Sequence, residues 1–394
     1  MPRHNVLGAG HSVTLRSRAG RGAVGEDHWQ AQSKGGIVVR TDAGDQLVEL
    51  RTQPQLREWQ DFQLSGMPHL ISAMHLCQAV HALAETGLLA ELRGGLRRDD
   101  ITSLPGFDPE LVRGLLRYLV VRGVVDDLPD GYRLSRRGEL LTTDVSLARL
   151  GVYAGAYGAV TARMGDLLTG KARYGVDVDR DGGALGRHCA TLFSVFHSDT
   201  IMTATRERGI RTMLDAGCGG GQLLVDACRR DERLTGIGLD NSPEAIAVAE
   251  KSAREHGVAD RVQFFVADAF EPETWPEVCR TADAMCIVSA LHEHFRHGED
   301  AVAELLRRYA RGLPALKMLL VGEPELLYED RENHDDFLLV HVLTGQGLPR
   351  DRHAWLPVFE KAGLPCRHIY TRPGAGPRLC FYDLRPASEV PVGR

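Results

Sequence analysis

Apolar residues recur every three to four positions from Leu70 onward. Leu70, Met74, Cys77, Val80, Ala84 and Leu88 share one stripe, which predicts a helix ending near Gly94-Gly95. Asp108 as N-cap and Pro109 at the first helical position open a second helix, carried by Leu111, Val112, Leu115, Leu116, Leu119 and Val120. Val124-Val125, a Pro129-Asp130-Gly131 turn and Tyr132-Arg-Leu134 then predict a wing beside that helix, a winged-helix pattern. Further helices are expected over 146–175 and 184–209. The pattern then changes to short apolar runs alternating with helices: strands at 212–216, 234–240, 262–268 and 282–288, and a fifth ending at Val321-Gly-Glu323-Pro-Glu325. This order predicts an α/β fold with a doubly wound parallel sheet behind a mainly helical N-terminal domain. Two last strands, 366–370 and 378–384, flank Pro373-Gly-Ala-Gly-Pro377 and form a terminal hairpin. Residues 1–35 show no periodicity and are expected to be mobile, and 37–50 reads as a small hairpin. Boundaries follow at 1–60 for an extension, 61–180 for the helical domain and 181–394 for the sheet domain.

Composition narrows the function classes. A formal net charge of -6 gives no bulk attraction to phosphate backbones, and Arg113, Arg117 and Arg122 are interleaved with Glu110, Asp126, Asp127 and Asp130. A solvated mixed-charge face is therefore expected rather than a DNA reader. A regulator that uses the wing on DNA is the alternative from another class. No apolar run approaches the roughly 20 residues that span a bilayer. The 8 cysteines contain no C-x-x-C pair, and the N-terminus has no leader-like pattern, so a cytoplasmic protein with free thiols is expected.

The chemistry begins at Thr212-Met-Leu-Asp215-Ala-Gly217-Cys-Gly219-Gly-Gly221, an apolar strand running into a glycine-rich turn that opens a helix. Glycines let backbone N–H groups approach a ligand. The spacing departs from the dinucleotide pattern G-x-G-x-x-G, because Gln222 stands where a third such glycine would fall. Asp215, inside the strand, suits an amine-bearing or cationic ligand. Asp240 ends the second strand and suits a ribose diol, and Asp268 ends the third, where it can accept from an adenine amine. A flavin or NAD enzyme with an atypical turn is the alternative.

This order over about residues 210–325 resembles the class I S-adenosylmethionine-dependent methyltransferases. The resemblance implies a Rossmann-like methyltransferase sheet, with Asp215, Gly217 and Gly219 on the methionine part of the cofactor. Asp240 and Asn241 would meet its ribose, and Asp268, Ala269 and Ser289 would complete the site. With helices in front and a hairpin behind, the plan resembles the two-domain small-molecule O-methyltransferases, whose N-terminal helices build a homodimer.

The fourth strand runs into Ser289-Ala-Leu-His292-Glu293-His294-Phe295. His292 falls where the O-methyltransferases place a general base in a Leu-His-Asp-Trp segment. Glu293 replaces the Asp and is counted as catalytic beside it, while His294 interrupts the pattern. Further on, His334, Phe337, Leu338 and His341 share one helical face at i, i+3, i+4 and i+7. Neutral imidazoles are common metal ligands. His292 with His341, and a carboxylate such as Glu293, resembles the metal-containing C-methyltransferases of α-keto acids such as phenylpyruvate. That resemblance implies His292 and His341 as ligands of iron or zinc and methylation of the β-carbon. A metal-free O-methyltransferase with His292 as base is the alternative. His294, His297, His334 and His353 are expected to be surface or hydrogen-bonded histidines.

Overall fold

The structure, a computed structural model, describes residues 53–325, 335–371 and 379–385. The expected mobile stretch 1–35, the hairpin at 37–50, His334 and the Pro373–Pro377 connection lie outside the described residues. The described residues divide into two units between Ile71 and Ser72. Of the first, helix α1 (Gln53–Leu64) is described together with the start of α2 (Met67–Glu85), and α1 buries none of its residues.

In the second unit, α2 buries Leu76, Val80 and Leu83 against α3 (Leu88–Gly94). The strands β1 (Leu96–Arg97), β2 (Val125–Leu128) and β3 (Gly131–Leu134) pair antiparallel in the order β1-β3-β2. Beside them α4 (Pro109–Val121) starts as its sequence requires: the Asp108 carboxylate accepts from the Glu110 and Leu111 amides at 2.8 and 3.1 Å. Its Val112, Leu116 and Leu119 fill the core of this part.

The stretch expected to be helical over 146–175 is helical but broken into short pieces. After α5 (Arg136–Leu141) and α6 (Asp144–Leu150), the chain makes a π-helical turn over Gly151–Ala156 and then two short helices, α7 (Gly158–Ala162) and α8 (Met164–Leu168). Glycine permits the wide turn, because a Cβ on Gly151 would meet the His188 ring at 2.2 Å. Gly170 and Gly175, at φ 69° and 82°, take the chain out of the helical region afterwards. The helix expected over 184–209 divides at His197, whose φ of -123° separates α9 (Gly182–Phe196) from α10 (Ser198–Glu207).

The large sheet is Rossmann-like. Its elements follow as β4 (Thr212–Ala216), α11 (Gln222–Arg230), β5 (Thr235–Asp240), α12 (Pro243–Glu255), β6 (Val262–Val266), β7 (Ala284–Val288), α13 (Glu299–Gly312), β8 (Met318–Pro324), α14 (Asp335–Thr344), α15 (Leu356–Lys361), β9 (Cys366–Tyr370) and β10 (Leu379–Leu384). The 7 strands lie in the order β6-β5-β4-β7-β8-β10-β9. Strands β4 to β8 pair parallel, and β10 inserts antiparallel between β8 and β9, giving the expected terminal hairpin. Parallel strands covered on both faces read as continuous apolar runs, and Ala284 to Ile287 are fully buried. The chain turns outward from β4 to β5 and β6, then returns to β7 on the other flank. Ligands bind where that reversal opens a crevice at the strand ends. No described helix is long and apolar enough to cross a membrane.

Candidate active site

The expected cofactor residues are gathered at the carboxyl ends of β4, β5, β6 and β7. Gly217, Gly219 and Gly221 adopt φ of 81°, 51° and 74°, a left-handed run that residues with a Cβ rarely adopt. The turn is tied to its neighbour strand: the Gly217 and Cys218 amides donate to Leu239 O at 2.8 Å, and the Gly219 amide donates to Asp240 Oδ2 at 2.9 Å. The Ser242 amide donates to Asp240 Oδ1 at 2.9 Å, which holds the carboxylate over the turn while Asn241 stays exposed. Asp215 is buried, and burial followed by the charge of Asp240 pushes its pKa up to about 7. Asp268 accepts from the Phe270 amide through Oδ1 at 2.8 Å, next to the half-buried Ala269. Ser289, at the mouth of β7, has φ 54° and is the one non-glycine residue with positive φ among the described residues. Such strain concentrates at functional sites.

The acceptor side is made of side chains. His292 and His341 come from the 3-10 turn Leu291–His297 and from α14, and their Nε2 atoms lie 3.0 Å apart. His292 Nδ1 sits 2.6 Å from Glu323 Oε2, and the His292 amide donates to Glu323 Oε1 at 3.2 Å. His341 Nδ1 donates to Phe337 O at 2.7 Å. Both rings are buried, and burial, then the fields of His292 and Arg180, pushes the His341 pKa down to about 3. Phe337 lies over His341 with ring centroids 4.0 Å apart, so these two members of the expected helical face do meet.

Glu293 is not brought to the imidazole pair. Its Oε1 accepts from Arg180 at 3.2 Å and from Gln346 Nε2 at 2.7 Å. Arg180 also donates to the Tyr157 hydroxyl at 3.1 Å, and Thr344 donates to Gln346 Oε1 at 2.9 Å, which fixes which end of the amide faces Glu293. Among the described residues, no group of three or more His, Cys, Asp or Glu side chains is placed to hold a metal ion. A cleft of about 560 Å³ opens beside this network, lined in part by His341, Gln346, Phe295 and Arg350. His297 and His353 are exposed as expected, whereas His294 has its Nδ1 buried without a hydrogen-bond partner.

Sequence reasoning passed over Glu323, Arg180, Tyr157 and Gln346. An acid at the end of a buried strand was a usable signal for Glu323. Arg180 carried none, since it lies in an irregular stretch 113 residues before its partner.

The fold and the site define a class I S-adenosylmethionine-dependent methyltransferase. A methyltransferase domain family matches residues 213–313. The indolepyruvate C-methyltransferase of Streptomyces griseus is 26% identical over 319 residues, covering 78% of this chain and 91% of that protein. The 2-ketoarginine methyltransferase of Streptomyces arginensis is 25% identical over 314 residues, covering 77% and 88%. Among solved structures, mitomycin 7-O-methyltransferase superposes with a TM-score of 0.64 at 22% identity, over 84% of this chain and 100% of that one. Human N-acetylserotonin methyltransferase in complex with S-adenosylmethionine gives 0.62 at 17% identity, over 83% and 98%.

Proposed function

We propose that this methyltransferase adds a methyl group to the β-carbon of an α-keto acid, with His292 and His341 as the seat of an iron or zinc ion. The supporting observation is the convergence of two imidazole nitrogens. Glu323 and Phe337 O engage the two Nδ1 atoms, so both rings turn Nε2 toward each other across 3.0 Å. Two ring nitrogens that close need a proton or a metal cation between them. Two nitrogens bound at about 2.1 Å to one ion at a right angle stand about 3 Å apart, and each ring has the outer carboxylate or carbonyl partner that ligand histidines use. The two nitrogens would be the protein's ligands to the ion, whose remaining positions the acceptor or solvent would fill. A bound ion would supply Lewis-acid stabilisation of negative charge developing on a keto oxygen.

The chain's own residues orient the acceptor. Arg180 spends only Nη1 on Tyr157 and Glu293 among the described residues, leaving further N–H donors for a substrate carboxylate. Asp215, Asp240 and Asp268, with the glycine turn, hold the methyl donor so that its sulfonium methyl faces the acceptor carbon. The curated relatives named for indolepyruvate and 2-ketoarginine support a keto acid as acceptor. Purified wild type should contain stoichiometric iron or zinc and methylate α-keto acids, and His341→Ala should lose both while binding S-adenosylhomocysteine normally. Metal-free wild type that methylates only hydroxyl acceptors would overturn the reading.

One observation favours a second reading. The His292–Glu323 pair at 2.6 Å also orients an imidazole as general base for O-methylation without a metal. Chelator-insensitive turnover of phenols is its signature.

We further propose an extension over 1–60, a winged-helix dimerisation domain over 61–180 and a catalytic domain over 181–394 of a cytoplasmic enzyme. Helix α2 exposes Leu70 and Ile71, apolar side chains that a second copy of the chain would cover. Sedimentation equilibrium should give twice the chain mass, and a monomer at assay concentration would reject the dimer.

A further inference from the structure

We propose that His294 binds the cofactor: its imidazole closes the adenine end of the site, and Nδ1 hydrogen-bonds a ring nitrogen of the purine. The proposal rests on the adenine lying beyond Asp268, as placed above. His294 belongs to the same 3-10 turn as His292 but leans the other way, toward β6. Its ring centroid lies 5.1 Å from that of Phe270, two residues past Asp268, and 5.1 Å from that of His297. Asp268 is close enough for its charge to act on the imidazole.

Two facts make this ring a binding group rather than a packed one. First, Nδ1 is buried and has no hydrogen-bond partner, a costly condition that a ligand atom would relieve. Second, the Asp268 seat already has its own polar groups engaged: Oδ1 accepts from the Phe270 amide and the carbonyl accepts from Trp275 Nε1 at 2.8 Å. Its other carboxylate oxygen remains for the exocyclic amine and the Ala269 amide for one ring nitrogen, which leaves the other purine ring nitrogens in need of a donor. An imidazole Nδ1–H is a donor of the kind a purine ring nitrogen accepts from.

Calorimetry on the full chain tests this, with S-adenosylhomocysteine and its 1-deaza, 3-deaza and 7-deaza adenine analogues as probes. One deaza analogue should bind wild type about tenfold more weakly than the parent, as loss of a single hydrogen bond predicts. His294→Phe keeps a ring but no nitrogen and should weaken the parent about tenfold, with no further loss for that analogue, because both changes remove the same bond. His294→Asn, whose amide nitrogen reaches near the Nδ1 position, should recover part of the affinity. Equal binding of all three deaza analogues to wild type would overturn the proposal, as would independent, additive losses in His294→Phe. Failure of wild type to bind S-adenosylhomocysteine at all would instead reject the cofactor site on which the proposal rests.

Discussion

The two flanks of the crevice are built from different material. On the β4–β6 flank, backbone amides and strand-end carboxylates make the site, and the partners lie close in sequence or on neighbouring strands. On the β7–β8 flank, side chains make it, and the partners are remote: His292 reaches Glu323 and His341 over 31 and 49 residues, and Tyr157 reaches Gln346 over 189. On the proposed function, the backbone-built flank would bind the shared methyl donor, and the side-chain-built flank could be exchanged to change the acceptor while the donor seat is kept.

Four measurements would break or sharpen that contrast. The largest effect is expected at Gly347. A Cβ there would stand 2.1 Å from His292 O and 2.9 Å from Glu293 O, so Gly347→Ala must shift the turn that carries both residues. Displacement of about 1 Å at a reacting group costs about 10²-fold in turnover. S-adenosylhomocysteine affinity should stay within about twofold of wild type; equal turnover in the variant would show that the acceptor flank tolerates imprecision.

Glu323→Gln comes next. The variant keeps the size but loses the carboxylate that fixes the His292 ring, and such outer partners are worth about 10- to 100-fold in activity or metal affinity. Cofactor binding should again be unaffected, and a parallel loss there would mean that the two flanks are not separable.

The third test lies on the donor flank and concerns pH. Asp215 has its folded pKa raised from 3.8 to about 7, so folding favours the protonated carboxyl. Its contribution to stability is fully present below the unfolded value and is lost as pH rises through about 7. The unliganded enzyme should therefore melt at a higher temperature at pH 6 than at pH 8, other groups aside. Binding of the cationic donor runs the opposite way, because it needs the carboxylate: affinity should fall up to about tenfold per pH unit below that pKa. Asp215→Asn should abolish this slope, and an unchanged slope would remove Asp215 from the cofactor seat.

The smallest effect belongs to Thr344→Val. Without the hydroxyl, Gln346 loses the 2.9 Å bond that orients its amide toward Glu293. One hydrogen bond of about 1 kcal/mol predicts roughly a fivefold rise in KM for the acceptor. No change in KM would detach Gln346 from substrate binding.

The sequence alone located the strand ends of the β4–β6 flank. Asp215, the three turn glycines, Asp240 and Asp268 could be read because each sits at the end of a strand whose apolar run announces it. The spacing of one β-α-β unit is set locally by strand and helix lengths. It also placed His292 at a strand mouth and put Phe337 and His341 on one helix face, since helical periodicity fixes which residues share a side. It missed the breaks in the helical stretch over 146–175, where residues that favour a helix are overruled by glycines permitting a π turn against His188. Only the tertiary structure decided that His292 and His341 face each other nitrogen to nitrogen, that Glu323 orients the first, and that Arg180 draws Glu293 away from them. Those contacts depend on the packing of distant elements against one another, and neither periodicity nor motif spacing encodes a distance across the sheet.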